Sequence, residues 1–231
     1  CFEQAKDILG GGEKIVLTGA PVRGEILAAD REKARAKFGL AEDDQLVVSF
    51  WGSMGAKYMN EHMAGMLALE CKNNVPYHHV HATGAAAREW LPRLAAEQGA
   101  DLQNHPNIEV TEYIYDMADR LAAADLVVCR AGAATMGELC ILGRPALLVP
   151  SPFVAENHQE KNARALESAG GCRVLLEKDA SPQRLYDEVR ELLSDRARLR
   201  RMGHDATKLA AHDASEKIYR EIMWAIEHHK Q

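Results

Sequence analysis

Along the chain, short apolar runs alternate with longer stretches in which apolar positions recur every three or four residues. The short runs are Gln45–Phe50, Tyr77–Ala82, Ile108–Tyr113, Leu126–Arg130, Pro145–Val149 and Arg173–Leu176. Several are rich in Val and Leu with little polar alternation, the pattern of strands covered on both faces. The longer stretches Ala56–Lys72, Ala86–Glu97, Asp116–Ala123, Thr135–Leu142 and Gln159–Ala169 read as helices. Strand and helix alternating this regularly predict an α/β protein with a Rossmann-like, doubly wound parallel sheet. Ser181 followed by Pro182 is an N-cap with proline in the first helical position, opening a helix to Asp195. The tail Ser215–His229 is amphipathic, with Ile218, Ile222, Ala225 and Ile226 on one stripe. Near the start, Lys14–Thr18 is a short candidate strand, and Gly10-Gly11-Gly12 reads as a loop. There is no internal repeat or low-complexity tract.

Composition narrows the class. The chain has 231 residues, 47% hydrophobic and 27% charged, ordinary for a globular protein with a sizeable core. A formal net charge of -6 argues against a nucleic-acid surface built on bulk positive charge and against a polybasic membrane anchor. No apolar run approaches the roughly 20 residues of a transmembrane segment. Cys1, Cys71, Cys129, Cys140 and Cys172 are widely spaced and form no C-x-x-C, so neither a disulfide framework nor a thiolate zinc site is expected. Cys129 and Cys172 read as small buried hydrophobes, and a reducing cytoplasm fits this usage. Starting at Cys1 with no signal-peptide pattern, the sequence reads as the later part of a longer protein.

Ligands of open α/β sheets bind beyond the carboxyl ends of the strands. Three small, glycine-containing turns fall there: Trp51-Gly52-Ser53-Met54-Gly55-Ala56, His81-Ala82-Thr83-Gly84-Ala85, and Arg130-Ala131-Gly132-Ala133-Ala134-Thr135-Met136-Gly137-Glu138. In the third, small residues let backbone approach a ligand, and a helix opens near Ala134 with free N–H groups suited to a diphosphate. Glu138, one turn in, is placed to accept from a ribose diol. A second reading stays open: Thr135-x-x-Glu138 is a capping box that merely closes the helix end. No G-x-G-x-x-G and no G-x-x-x-x-G-K-[ST] occurs, so dinucleotide dehydrogenase and P-loop readings lose their main support. His79 and His81 share a strand face and could ligate a metal, but packed or hydrogen-bonded strand histidines are the commoner case, and no carboxylate at convincing spacing joins them. His158-Gln159-x-x-Asn162 opens a helix at the same sheet edge, either as an exposed helical turn or as a reader of sugar hydroxyls.

Together these segments resemble a known family. Thr18-Gly-Ala-Pro-Val-Arg23, Gly52-Ser-Met-Gly-Ala56, Tyr113-Ile-Tyr-Asp-Met117, Ala124-Asp-Leu-Val-Val-Cys-Arg-Ala-Gly-Ala133, Thr135-x-x-Glu138, Gly143-Arg-Pro145 and His158-Gln-x-x-Asn-Ala163 are similar to the MurG family. Its members are UDP-N-acetylglucosamine transferases that add the second sugar to peptidoglycan lipid precursors. The resemblance runs from about Thr18 to the tail. It implies the carboxyl-terminal, donor-binding half of a glycosyltransferase-B fold. Residues 1–30 would lead in from an amino-terminal domain, 31–214 would bind the UDP-sugar, and the helix at 215–231 would pack toward the other domain.

The resemblance also implies roles. Ile114 backbone groups read the uracil edge and Glu138 holds the ribose. Ser53 and the turn Ala133, Ala134, Thr135, Met136 and Gly137 receive the diphosphate. Arg23 reaches the donor, and Gln159, with His158 and Asn162, binds sugar hydroxyls. The implied reaction is an inverting transfer of GlcNAc to a lipid-linked muramyl-pentapeptide acceptor, with no metal and no cofactor. The catalytic base lies on the other domain, and the full-length protein sits on the inner face of the cell membrane. Trp51, Met54, Ala20 and Ala85 depart from the family pattern. The alternatives are a donor-binding subunit of a split UDP-GlcNAc transferase, a non-catalytic nucleotide-binding module, and an epimerase of the same fold. The last would need cleft carboxylates that the sequence does not place.

Overall fold

The protein is described by a computed structural model that covers residues 15–228. Cys1, Lys14, the triple glycine at 10–12 and His229 lie outside the described residues. Of the candidate strand at Lys14–Thr18, the described residues 15–18 carry no regular structure and pair with no strand of the sheet.

All six predicted strands are present: β1 Leu46–Phe50, β2 His78–Ala82, β3 Ile108–Thr111, β4 Leu126–Cys129, β5 Ala146–Leu148 and β6 Cys172–Val174. They form one parallel sheet in the order β3-β2-β1-β4-β5-β6. Chain direction across the sheet reverses between β1 and β4, where Val47 faces Leu126 and Phe50 faces Cys129 in register. A crevice at the carboxyl ends of these two strands is the geometric consequence.

Helices cover both faces. Lys57–Lys72 (α3), Trp90–Glu97 (α4) and Pro182–Ser194 (α8) pack on one side with Val47, Leu126, Val128 and Leu147. Gly24–Ala28 (α1), Arg31–Lys37 (α2), Met117–Ala123 (α5), Ala133–Leu142 (α6) and His158–Ser168 (α7) cover Leu46, Val48, Val127 and Leu148 on the other. Alternate residues of the inner strands β1, β4 and β5 thus feed opposite cores, which is why their runs read as almost continuously apolar. Each fully buried Leu, Val or Met contributes roughly 1.5–3 kcal/mol. Cys71, Cys129, Cys140 and Cys172 are free and buried.

The expected N-cap of α8 is present: Ser181 Oγ accepts from Arg184 N at 3.1 Å. Asp30 and Asp195 cap α2 and the helix α9, Arg196–Thr207, in the same way. The segment 86–89, expected as helix, is a run of turns before α4. The tail helix α10 spans Ala214–His228 and leaves Tyr219, Ile222, Trp224 and Ile226 exposed.

At the amino edge of the sheet, three arginines converge on the end of α5. Arg31 donates to the carbonyls of Ala123 and Ala124 at 3.1 and 2.7 Å and to Asp125 at 2.6 Å. Arg35 bonds Ala123 O and Asp125, and Arg144 bonds Ala124 O at 3.2 Å. Cations suit a helix C-terminus, whose last carbonyls lack partners and carry partial negative charge. Burial, and then repulsion from Arg31, lowers the pKa of Arg144 to about 10. Asp125 also accepts from Leu46 N at 2.9 Å, tying this cluster to the start of β1.

Candidate functional site

The turn after β1 is shaped by its glycines. Gly52 and Gly55 adopt φ of +91° and +72°, and Gly55 N donates to Gly52 O at 3.0 Å. Such left-handed positions favour residues without a Cβ. Gly55 also lies against the neighbouring turn: a Cβ there would stand 2.4 Å from Thr83 O. Ser53, at the tip, is exposed.

Trp51 and Met54, the two departures in this turn, point in opposite directions. Trp51 is buried in the core with its ring 5.9 Å below the Arg130 guanidinium, while Met54 is exposed. The extra bulk at position 51 is therefore absorbed by the core rather than by the crevice. Arg130 holds the edge together: it donates to Val149 O at 3.1 Å and pairs with Glu177. The Arg130–Glu177 pair was not expected from the sequence, since the two residues meet only through the sheet.

The turn after β4 runs into α6, whose N-cap is Gly132. The capping-box reading fails here. Thr135 sits inside the first turn, and no side chain caps the helix. Ala134 is exposed, and Ala133 and Thr135 are half-buried. Uncapped amides at a helix start carry the positive end of the dipole toward open crevice. Two residues of the expected diphosphate turn offer the crevice nothing. Met136 is fully buried in the core and its N–H is spent on Gly132 O at 2.9 Å. Gly137 faces the lead-in segment, where a Cβ would stand 3.4 Å from both Ala20 and Val22.

Glu138 and Arg23, far apart in sequence, are brought together: Arg23 Nε donates to Glu138 Oε1 at 3.0 Å. Arg23 is also the residue before α1, whose Ile26 is buried in the core, so the lead-in is anchored against α6 and α5. Ile114 buries its side chain in the core beneath the loop after β3. Tyr113 and Tyr115 on either side are exposed, with ring centroids 5.3 Å apart.

Beyond β5, Glu156 and Asn157 adopt φ of +52° and +53° immediately before α7. Two consecutive non-glycine residues in this region cost energy and are found where a loop is held in a particular shape. His158 Nδ1 bonds Ala155 O at 3.0 Å, and Gln159 Oε1 accepts from Ser151 N at 2.9 Å. Gln159 therefore spends its carbonyl on the loop, and its amide N–H groups have no hydrogen-bond partner among the described residues. Asn162 is half-buried one turn further on.

His79 and His81 are fully buried and bonded to Ser49, Glu70 and Asn60. Among the described residues, no three His, Cys, Asp or Glu side chains gather as a metal-ligand set, and no helix is long and apolar enough to cross a membrane. A cavity of about 740 Å³ lies at the opposite, amino edge of the sheet, lined by Arg31, Asp125, Arg144 and Arg200. It is remote from the turns described here. The uncapped start of α6 and the glycine turn after β1, at the carboxyl ends of the adjacent strands β4 and β1, with the Arg23–Glu138 pair on α6, make this edge the candidate site.

Residues 46–218 match the family model of the glycosyltransferase family 28 C-terminal domain. A protein of Acetivibrio thermocellus named UDP-N-acetylglucosamine--N-acetylmuramyl-(pentapeptide) pyrophosphoryl-undecaprenol N-acetylglucosamine transferase is 43% identical over 218 residues, covering 94% of this chain and 58% of that protein. A protein of the same name from Moorella thermoacetica is 39% identical over 226 residues, 98% of this chain and 61% of its own length. The chain thus spans about three-fifths of the curated relatives it matches. Among solved structures, MurG of Acinetobacter baumannii aligns with a TM-score of 0.70 and 27% identity, covering 91% of this chain and 58% of that one. A UDP-GlcNAc 2-epimerase of Neisseria meningitidis, 11% identical with a TM-score of 0.56, shares the fold alone.

Proposed function

The chain belongs to the glycosyltransferase family 28 C-terminal domains, and from that premise we propose that it is the donor-binding half of an inverting UDP-N-acetylglucosamine transferase acting on a lipid-linked muramyl-pentapeptide. The observation that carries this reading is the start of α6, which opens onto the β1/β4 crevice with no side-chain cap. Ala133, Ala134 and Thr135 present amides to a diphosphate, Ser53 closes over it from the neighbouring turn, and Ile114 backbone groups read the uracil edge. Glu138 holds the ribose hydroxyls, with Arg23 neutralising its charge and reaching toward the donor. Gln159, His158 and Asn162 contact the sugar.

In this mechanism, charge builds on the UDP oxygens as the acceptor hydroxyl attacks the anomeric carbon. Fixed amide donors then count for more in the transition state than in the ground state. Losing one such donor typically costs about 2.7–4 kcal/mol of barrier. The base that takes the acceptor proton belongs to the part of the relatives that this chain does not match. The apolar stripe of α10 packs toward that other domain, and the complete enzyme works peripherally at the inner face of the cell membrane, where its lipid-linked acceptor lies.

Calorimetric titration with UDP, in magnesium and in EDTA, tests the donor reading. Equal binding in both is the expected result; binding that needs the metal ion refutes the helix-amide account, and no binding in either refutes the site. The alternative of a donor-binding subunit in a split enzyme keeps the same site and is separated by the upstream coding sequence.

A further inference from the structure

Beneath the turn after β1 lies a chain of buried polar groups that the proposed reaction does not use. Asn60, in the first turns of α3, donates from Nδ2 to Thr83 O at 2.8 Å. Its Oδ1 lies 3.2 Å from His81 Nε2. Ser49 Oγ lies 2.7 Å from His81 Nδ1 and 2.8 Å from His79 Nε2. His79 Nδ1 lies 2.8 Å from Glu70 Oε2, and Tyr77 donates to Glu70 Oε1 at 2.8 Å. Ser49, Asn60, Glu70, His79, His81 and Thr83 are all at most 1% exposed. A polar chain this dry stands only if every donor finds an acceptor.

The proton inventory permits one direction. The Thr83 carbonyl can only accept, so Asn60 turns its amide N–H to it and presents Oδ1 to His81. His81 must then carry its proton on Nε2. Burial, and then the neighbouring His79, lowers its pKa to about 3, so the ring is neutral and Nδ1 is bare. Ser49 O–H donates to that bare nitrogen, which leaves Ser49 Oγ to accept from His79 Nε2–H. The last link, between His79 Nδ1 and Glu70, holds one proton, on either the ring or the carboxyl. The hydrogen bonds from His79 through Ser49, His81 and Asn60 to Thr83 O thus run in one fixed sense.

The far end of the chain bears on the crevice. Thr83 O is the atom against which Gly55 packs, and a Cβ on Gly84 would stand 2.5 Å from Gly55 N. Moving Thr83 and Gly84 therefore moves the turn that carries Ser53. We propose that Asn60 and His81 are positioning residues for this turn, held in one orientation by Ser49, His79 and Glu70, and that what they position it for is the diphosphate of a nucleotide. This rests on the donor-site reading above.

The test compares UDP with uridine on this chain by calorimetry near neutral pH, with folding checked by thermal melting. Asn60→Asp removes the N–H that holds Thr83 O while keeping the shape. It is expected to weaken UDP about tenfold or more, as for loss of a hydrogen bond in a charged site, and to leave uridine unchanged. Glu70→Gln is the conservative control. Its amide N–H donates to His79 Nδ1 and its oxygen accepts from Tyr77, so the chain keeps its direction and UDP affinity is expected to be retained. Unchanged UDP affinity in Asn60→Asp, equal loss of UDP and uridine, or loss of UDP in Glu70→Gln overturns the proposal. If Asn60→Asp does not fold, Asn60→Ala takes its place under the same criteria. If the unsubstituted chain binds neither ligand, the donor reading fails on its own. The direction of the chain is then decided by ¹⁵N spectra of the imidazoles: a proton on His81 Nε2 alone supports it, and one on Nδ1 overturns it.

Discussion

The two edges of the sheet solve the same electrostatic problem in opposite ways. At the amino edge, the C-terminus of α5 is met by Arg31, Arg35 and Arg144, with Asp125 balancing them. At the carboxyl edge, the N-terminus of α6 is met by no side chain at all. Helix ends carry partial charge of either sign, and a protein gains stability by neutralising them itself. One end here is satisfied internally by side chains and the other has no side-chain cap. Ser181, Asp30 and Asp195 cap α8, α2 and α9, whereas α1, α3, α4, α5 and α7 begin, like α6, without a side-chain cap; what distinguishes α6 is its small-residue start, Gly132-Ala133-Ala134, directly after β4 at the sheet's switch point.

Substitutions that treat the edges unequally sharpen or break this contrast. The largest effect is expected from Asp125→Ala. It leaves Arg31 and Arg35 without their carboxylate and Leu46 N without its acceptor, which should cost about 3–5 kcal/mol of stability in urea unfolding. UDP affinity of the folded fraction should not change. Loss of UDP affinity in a folded variant would mean that the two edges are coupled.

Glu138→Ala should do the reverse. Losing a charge-assisted contact to the ribose corresponds to about 1.5–3 kcal/mol, or roughly 10- to 100-fold in UDP affinity. The thermal midpoint should barely move, because its partner Arg23 is half-exposed and such pairs contribute at most about 1 kcal/mol. Binding of uracil alone should be unaffected. A matching loss of uracil would reduce Glu138 to a structural role.

The buried histidines give a pH test of the layer beneath the site. His81 is protonated near 6.5 in the unfolded chain but only near 3 when folded, because burial and then His79 oppose its charge. Below pH 6.5 the unfolded state therefore binds more protons. Stability should fall as pH drops from 6.5 toward 5, by at most about 1.4 kcal/mol per pH unit from this group. Urea midpoints across that window measure it. A flat profile would mean that His81 ionises freely in the fold.

The smallest effect is the most pointed. Gly132 has extended backbone and open space where a Cβ would go. Gly132→Asp installs the missing N-cap and should stabilise the fold by only a few tenths of a kcal/mol. It should also weaken UDP by about 1 kcal/mol, roughly fivefold, through its charge at the helix start. A variant that binds UDP as well as before would show that the diphosphate does not sit there.

Much of this was legible in advance, and the failures have physical causes. The inner strands β1, β4 and β5 were visible because each buries both faces, so nearly unbroken apolar runs survive in the sequence, whereas β2 carries buried histidines and the edge strands β3 and β6 are only partly buried. Their ends were read one or two residues too long, since Tyr113, Val149 and Leu176 continue the apolar pattern after the ladder has stopped. The helices α1, α2 and α9 were missed because they are short or strongly charged, with their apolar positions spread thinly. Asn60 escaped notice although the signal was there: one amide among the apolar residues Met59, Met63 and Ala64 of α3.

What the sequence alone determined is the alternation of strand and helix and the chemistry of the turns, because both depend on residues close together along the chain. Only the tertiary structure decided which atoms of those turns face the crevice. It turned Met136 into the core and left Ala134 open, and it set Thr135 one turn too deep to cap. It also brought Arg144 to the end of α5, Glu138 to Arg23, and Thr83 to Asn60. Side-chain direction and contacts between distant segments arise from packing the layers together, and no local pattern encodes them.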